Sequence, residues 1–159
     1  MILDGFHISM TRTTSKLSSK EKRQARINTL QSIYAIELKG SELDDTHTFM
    51  SEELDSSKDI LDYGMNLSKL IIKFTNEVDT LIRERSKNWD FERITLIDKL
   101  ILRMSLVEMI YMDEIPPKVS ISEGVEIAKQ FSTDDSSSFI NGILDSVYNE
   151  IVKKKEKII

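Results

Sequence analysis

The sequence predicts an all-α fold of six or seven helices, and three features of its pattern carry that prediction. Apolar residues recur at spacings of three and four through most of the chain. Ser or Thr stands three residues ahead of Glu or Asp where several of these segments begin, as helix caps do. No run alternates polar and apolar residues in the way a half-buried strand would.

Residues 1–17 lack periodicity and read as a flexible basic arm, within which Met10 is an alternative start that would leave Met1 to Ser9 as an upstream extension. Ser18 and Glu21 form a capping box ahead of a first helix whose apolar face is Ile27, Leu30, Ile33, Tyr34 and Leu38, with Gly40 placed to end it. The acidic stretch from Ser41 to Asp59 is weakly patterned, with a short helix expected around Phe49 and Leu54. Helical spacing resumes through Leu61, Leu67, Leu70, Ile71 and Phe74, then Val78, Leu81 and Ile82, and breaks at Ser86 to Asp90, with Trp89 as a core plug.

Thr95 and Asp98 cap a strongly apolar segment (Leu96, Ile97, Leu100, Ile101, Met104, Val107, Ile110, Tyr111) whose wide stripe marks a central helix. Pro116 and Pro117 stop it. Ser120 and Glu123 form a further capping box before Ile121, Val125, Ala128 and Phe131. The last helix carries Phe139, Ile140, Ile143, Leu144, Val147, Tyr148, Ile151 and Val152. Asn141-Gly142 could signal a hairpin, but the period across it is helical. A glycine there costs roughly 1 kcal/mol relative to alanine, a cost that a close helix crossing would offset.

A chain of 159 residues fits one domain or two packed helical halves, and 40% hydrophobic with 31% charged residues is an ordinary globular composition. No apolar run approaches the roughly 18 residues needed to cross a bilayer, and no signal-peptide pattern opens the chain, so a cytoplasmic protein is expected. The absence of cysteine excludes disulfides, thiolate metal sites and cysteine nucleophiles. His7 and His47 lie in polar surroundings and do not suggest a metal cluster; no cofactor is expected.

The net charge of -5 hides a segregation. Arg12, Lys16, Lys20, Lys22, Arg23 and Arg26 stand against Glu21 alone, and the chain turns basic again at Lys153, Lys154, Lys155 and Lys157. Eight acidic residues face Lys58 alone between Ser41 and Asp62. Such asymmetry suits a local anionic partner, and it also suits solvating tails.

Several motifs, in order, resemble the transcription antitermination factor NusB family. Ile97 to Met109 looks like its central helix, with an arginine between apolar residues and a later glutamate. Ile115-Pro116-Pro117-Lys118-Val119 resembles its proline and lysine connection. Ile121 to Phe131 resembles its I-N-E-A-I-E-L-A-K helix, and Asp134 to Asp145 its E-D-S-x-x-F-V-N-G-V-L-D pattern. Ala25-Arg26 followed by Leu30-Gln31-Ser32-Ile33-Tyr34 is similar to the helix ending in A-L-Y. Residues 41–90 match only in length and helical pattern.

The resemblance implies a bundle of two packed subdomains, here residues 18–75 and 76–159. It also implies a factor that pairs with the ribosomal protein NusE and binds boxA single-stranded RNA in nascent ribosomal transcripts. Other Nus factors and RNA polymerase complete that antitermination complex. Carried over by position, the RNA surface is Arg12, Lys16, Lys20, Lys22, Arg23, Arg26, Lys118 and Phe139, and Tyr34, Asp98 and Asp135 face the RNA or the partner. Cations suit phosphates, and an aromatic ring suits an unpaired base. Phe139 is a stacking candidate or the first core residue of its helix. Tyr34 offers its hydroxyl to the same surface or packs inside. Asp135 accepts hydrogen bonds from the ligand or stabilises a helix N-terminus.

The chain departs from the family pattern in its lysine-rich N-terminal element, broken by Glu21 and Gln24, in Ser137 and Ser138 where histidine and lysine are common, and in Ser132 where a glycine is common. Lysine lacks the planar fork of arginine, so weaker intrinsic RNA binding and more reliance on the partner are expected. A protein-binding adaptor without specific RNA contact is the alternative, and a face meant for NusE leaves room for a homodimer. The fold also serves ribosomal RNA 5-methylcytosine methyltransferases, but their catalytic domain and cysteines have no counterpart here. No Gly-rich phosphate loop or nucleophile–base spacing suggests an enzyme.

Overall fold

The computed structural model describes residues 17–40, 57–86, 88 and 90–158. The helix expected around Phe49 and Leu54, the Trp89 plug, residues 1–16 of the N-terminal arm and the question of Met10 fall outside the described residues; Leu17, the last residue of that arm, is buried. The all-α expectation is borne out: the described residues form five long helices and a short terminal one, with no strand among them. The chain divides between Lys73 and Phe74 into two compact units.

In the first unit, α1 spans Ser19–Lys39. Its capping box is formed, with the Glu21 amide donating to Ser18 Oγ and the Ser18 amide to Glu21 Oε1, both at 3.1 Å. Gly40 ends it in the left-handed region, φ 67°, and its N–H donates to the Ile36 carbonyl at 2.8 Å. The buried face differs from the expected one. Leu30 and Ile33 are buried, but Tyr34 and Leu38 are 37% and 63% exposed, and Arg26, Asn28, Thr29 and Ser32 are buried in their place.

Small hydroxyls can occupy that face because their own helix satisfies them: Ser32 Oγ donates to the Asn28 carbonyl at 2.8 Å, and Thr29 Oγ1 to that of Ala25 at 2.9 Å. Thr29 Oγ1 also lies 3.2 Å from the Gly64 carbonyl, which accepts Ser68 Oγ at 2.8 Å. That carbonyl belongs to α2, Lys58–Arg85, whose first half buries Tyr63, Leu67, Leu70 and Ile71. Helix α2 bends at Phe74, which has non-helical φ/ψ of -109° and 15°.

The second unit begins there. The Phe74 ring stacks on Tyr111 at 3.7 Å and 8°. Asp79 takes a bidentate ion pair from Arg103, both contacts 2.8 Å, with the two side chains about nine-tenths buried. After a 3₁₀ turn at Phe91–Arg93, helix α3 (Leu96–Tyr111) opens on Thr95, whose Oγ1 accepts the Asp98 amide at 3.4 Å, as its spacing predicts. Leu100, Ile101, Leu102, Met104, Leu106 and Val107 are all buried, which fits the central role expected of it.

Helix α3 ends at Tyr111, ahead of the prolines, and Pro117 instead opens α4 (Pro117–Phe131), where its missing N–H costs nothing. The expected Ser120–Glu123 capping box is therefore not formed. Ser120 lies a turn inside α4, 1% exposed, and donates to Glu108 Oε1 at 2.9 Å.

Helix α5 (Asp134–Val147) starts on Thr133, whose Oγ1 accepts the Ser136 amide at 3.0 Å. It continues through a π turn, Tyr148–Val152, into α6, Lys153–Ile158. Helices α3, α4 and α5 pack pairwise around Ile127, Ala128, Ile140, Leu144 and Val147. The close crossing is at Gly124, where a Cβ would meet Ser105 Oγ, and not at Gly142, which has nothing within 4 Å of a built Cβ.

Candidate nucleic-acid interface

The cap on Thr133 places Asp134 and Asp135 in the first turn of α5, where the helix dipole favours acids. Phe139 follows Asp135 by four residues and so shares its face. With Asp98, Arg93, Ile94, Thr95 and Ser136 they line a groove of about 190 Å³. Three residues expected from the sequence, Asp98, Asp135 and Phe139, are thus brought together. Asp135 is exposed and Phe139 half-buried, so the phenylalanine is not simply the first core residue of its helix.

Asp98 has a different setting from Asp135. It is 5% exposed, and its oxygens already accept Ser132 Oγ at 2.8 Å and Ser136 Oγ at 2.7 Å. It clasps the start of α3 to the end of α4 and the first turn of α5, which fixes the turn that presents Asp135 and Phe139. Ser132 and Ser136 are the partners that the sequence reading did not find. The signal was Ser132, read as a departure from a glycine, when its hydroxyl supplies half of the clasp.

Lys118 does not share this groove. It is exposed in the first turn of α4 and lines another of about 370 Å³ with Ile121, Val125, Glu126, Asn141 and Asp145, its Nζ 5.8 Å from the Tyr148 ring centre. On the first unit, Lys20 and Arg23 are exposed, Lys22 is half-buried and Tyr34 is 37% exposed. Arg26 is 3% exposed, which removes it from the solvent-facing set. Its spacing explains this: Arg26, Thr29, Leu30 and Ile33 follow i, i+3, i+4, i+7 and share the buried face. Arg12 and Lys16 lie outside the described residues.

Among the described residues, no group of three or more His, Cys, Asp or Glu could hold a metal ion, and no helix is long and apolar enough to cross a membrane. Burial, helped by the Glu77 carboxylate, pushes the Tyr111 phenol above its ordinary value of 10.0.

The helical core and the clasped groove belong to an all-helical module. Residues 23–149 match the model of the NusB family, and the chain belongs to that family, as its motifs implied. The transcription antitermination protein NusB of Chloroherpeton thalassium is 38% identical over 134 residues, 84% of this chain. The match covers 64% of that relative's own length. NusB of T. maritima superposes with a TM-score of 0.75 at 26% identity, covering 87% of this chain and 97% of that one. A chain in the crystal structure of antitermination factors NusB and NusE in complex with dsRNA gives 0.74 at 20% identity, covering 83% and 98%, a likeness of fold.

Proposed function

We propose that this protein is a non-catalytic, cytoplasmic transcription antitermination factor. It binds boxA RNA of nascent ribosomal transcripts together with NusE, within a complex that includes other Nus factors and RNA polymerase. The observation that carries the reading is the groove at the start of α5, where a half-exposed Phe139 and an exposed Asp135 stand on a turn clasped by Asp98. An aromatic ring carried on a helix can stack an unpaired base without first ordering the segment that bears it. The exposed Lys20 and Arg23, with the half-buried Lys22, supply cations for phosphates on the other unit. Membership of the NusB family supports the same reading, and a chain of the same fold occurs with NusE and dsRNA.

The test is binding of a boxA-type single strand, a scrambled strand and a duplex, with and without NusE, across a salt series. The expected result is preference for the boxA strand, strengthened by NusE, with a log–log salt slope of about -2 to -4, or roughly three to six phosphate contacts. Charge reversal at Lys20, Lys22 and Arg23 should flatten that slope while leaving the circular dichroism spectrum unchanged. Binding to NusE with no preference for any RNA would make this a protein adaptor. A duplex that binds as tightly as the single strand would remove the stacking role of Phe139.

A further inference from the structure

Three cations gather in the second unit between the end of α2 and the start of α3. Phe91 opens the 3₁₀ turn Phe91–Arg93, and its buried ring carries two of them. Arg83 Cζ stands 4.1 Å from the ring centre and Lys99 Nζ 4.5 Å from it, both within the range of a cation–π contact. The turn itself is held: the Glu92 amide donates to Asp90 Oδ1 at 3.3 Å, and the Arg93 amide to the Asp90 carbonyl at 2.9 Å. Arg93 is the third cation. It is exposed and lines the groove of Asp98 and Asp135.

Little within the protein neutralises these charges. Among the described residues, Arg93 and Lys99 have no ion pair, and none of the three side chains makes a hydrogen bond. Arg83 meets only Glu92, at 3.9 Å and with both side chains more than half exposed, a pair of little strength. The oxygens of Asp98 are taken by Ser132 and Ser136, and Asp135 shares the groove with Arg93 without an ion pair between them.

Sharing one ring keeps the Arg83 and Lys99 charges no farther apart than the sum of their two distances to its centre. A phosphate accepting from a guanidinium nitrogen on one side and an ammonium on the other spans about 8 Å between the two nitrogens. A guanidinium stacks on an aromatic face without using its N–H fork, and an ammonium has three donors, so both keep donors for such an anion. The buried ring anchors the two side chains, which lowers the freedom they lose when the anion arrives.

We propose that Arg83 and Lys99 hold one backbone phosphate of the RNA beside the Phe91 ring, and that Arg93 extends this site toward the Asp98–Asp135 groove. The inference rests on the RNA-binding reading above, and it gives the second unit a phosphate contact of its own.

Arg83→Gln, Lys99→Gln, the double variant and Glu92→Gln test it. Binding of the boxA-type and scrambled strands with NusE would be measured across a salt series, beside melting temperature and NusE affinity without RNA. Each single Gln variant of the cations is expected to bind about ten-fold more weakly, the worth of one charge-assisted hydrogen bond. The factor should be the same for both strands, because a phosphate contact carries no sequence information. The salt slope should become shallower by about 0.7, one phosphate of a single strand. The double variant should bind little worse than either single one, since both cations serve the same phosphate. Glu92→Gln should tighten binding about two- to three-fold by removing the carboxylate beside Arg83, a gain that damage to the fold does not produce.

Parent-like binding by the double variant overturns the site and leaves the RNA reading standing; a fall in its melting temperature alone would make the two cations a cover for the ring. A loss in the double variant equal to the product of the single losses overturns the shared phosphate. A loss confined to the boxA-type strand, or to NusE affinity, overturns the site as well, by assigning these residues to a base or to the protein partner. Failure of the parent to bind either strand removes the reading and the site together.

Discussion

Helices α1 and α3 each bury most of one face, and polar residues make up a larger share of what α1 buries than of what α3 buries. Helix α3 packs Leu100, Ile101, Leu102, Leu106 and Val107 at 2% exposure or less. Helix α1 buries Arg26, Asn28, Thr29 and Ser32 beside Leu30 and Ile33, and leaves Leu38 at 63% exposed. The difference shows what a polar residue means inside a helix. Thr and Ser hydroxyls can donate to the carbonyl four residues earlier, so they enter a helix contact already satisfied and need no partner from outside. Asp79 has no such internal option and is buried only with a fork from Arg103.

The contrast can be broken most severely at that ion pair. Asp79→Ala leaves a mostly buried guanidinium without its carboxylate and should cost about 3–5 kcal/mol in urea unfolding. If it costs less than 1 kcal/mol, the second unit tolerates buried charge as readily as the first tolerates hydroxyls. Next in size is Gly124→Val, whose side chain must displace Ser105 and Leu144; overpacking of this kind costs about 1–3 kcal/mol, read from the same unfolding curves. On α1, Thr29→Val keeps the shape and removes a hydroxyl. Because the Gly64 carbonyl retains Ser68 Oγ, the loss should stay below about 1 kcal/mol.

The smallest effect is expected at Tyr111. Its folded-state value lies above the ordinary 10.0, so its contribution to stability is complete below that pH and is lost as pH rises through the raised value. Glu77→Gln should bring the phenolate absorbance transition partway back toward 10.0, leaving the part due to burial.

Much of this was visible in the chain before folding. The caps at Ser18, Thr95 and Gly40 were legible because they depend on neighbours a few residues away. The central helix was legible because its apolar stripe is wide and unbroken. Two of the misread positions, Arg26 and Ser120, are polar residues on a buried face. Arg26 was read by its charge, although its spacing to Leu30 and Ile33 already placed it inside. Ser120 was read as a cap, although Pro117 was the better helix start. At the candidate site, Phe139 and Asp135 came from the motif, whereas Arg93 carried no local mark and entered the groove only through tertiary placement.

By itself the sequence determined the helical class, most helix boundaries, the central position of α3 and the family, since all of these follow from periodicity and short motifs. Only the tertiary structure decided which glycine is a crossing point and which aspartate is a clasp. Those properties depend on what approaches from another helix, and a residue's own neighbours in sequence do not contain that information.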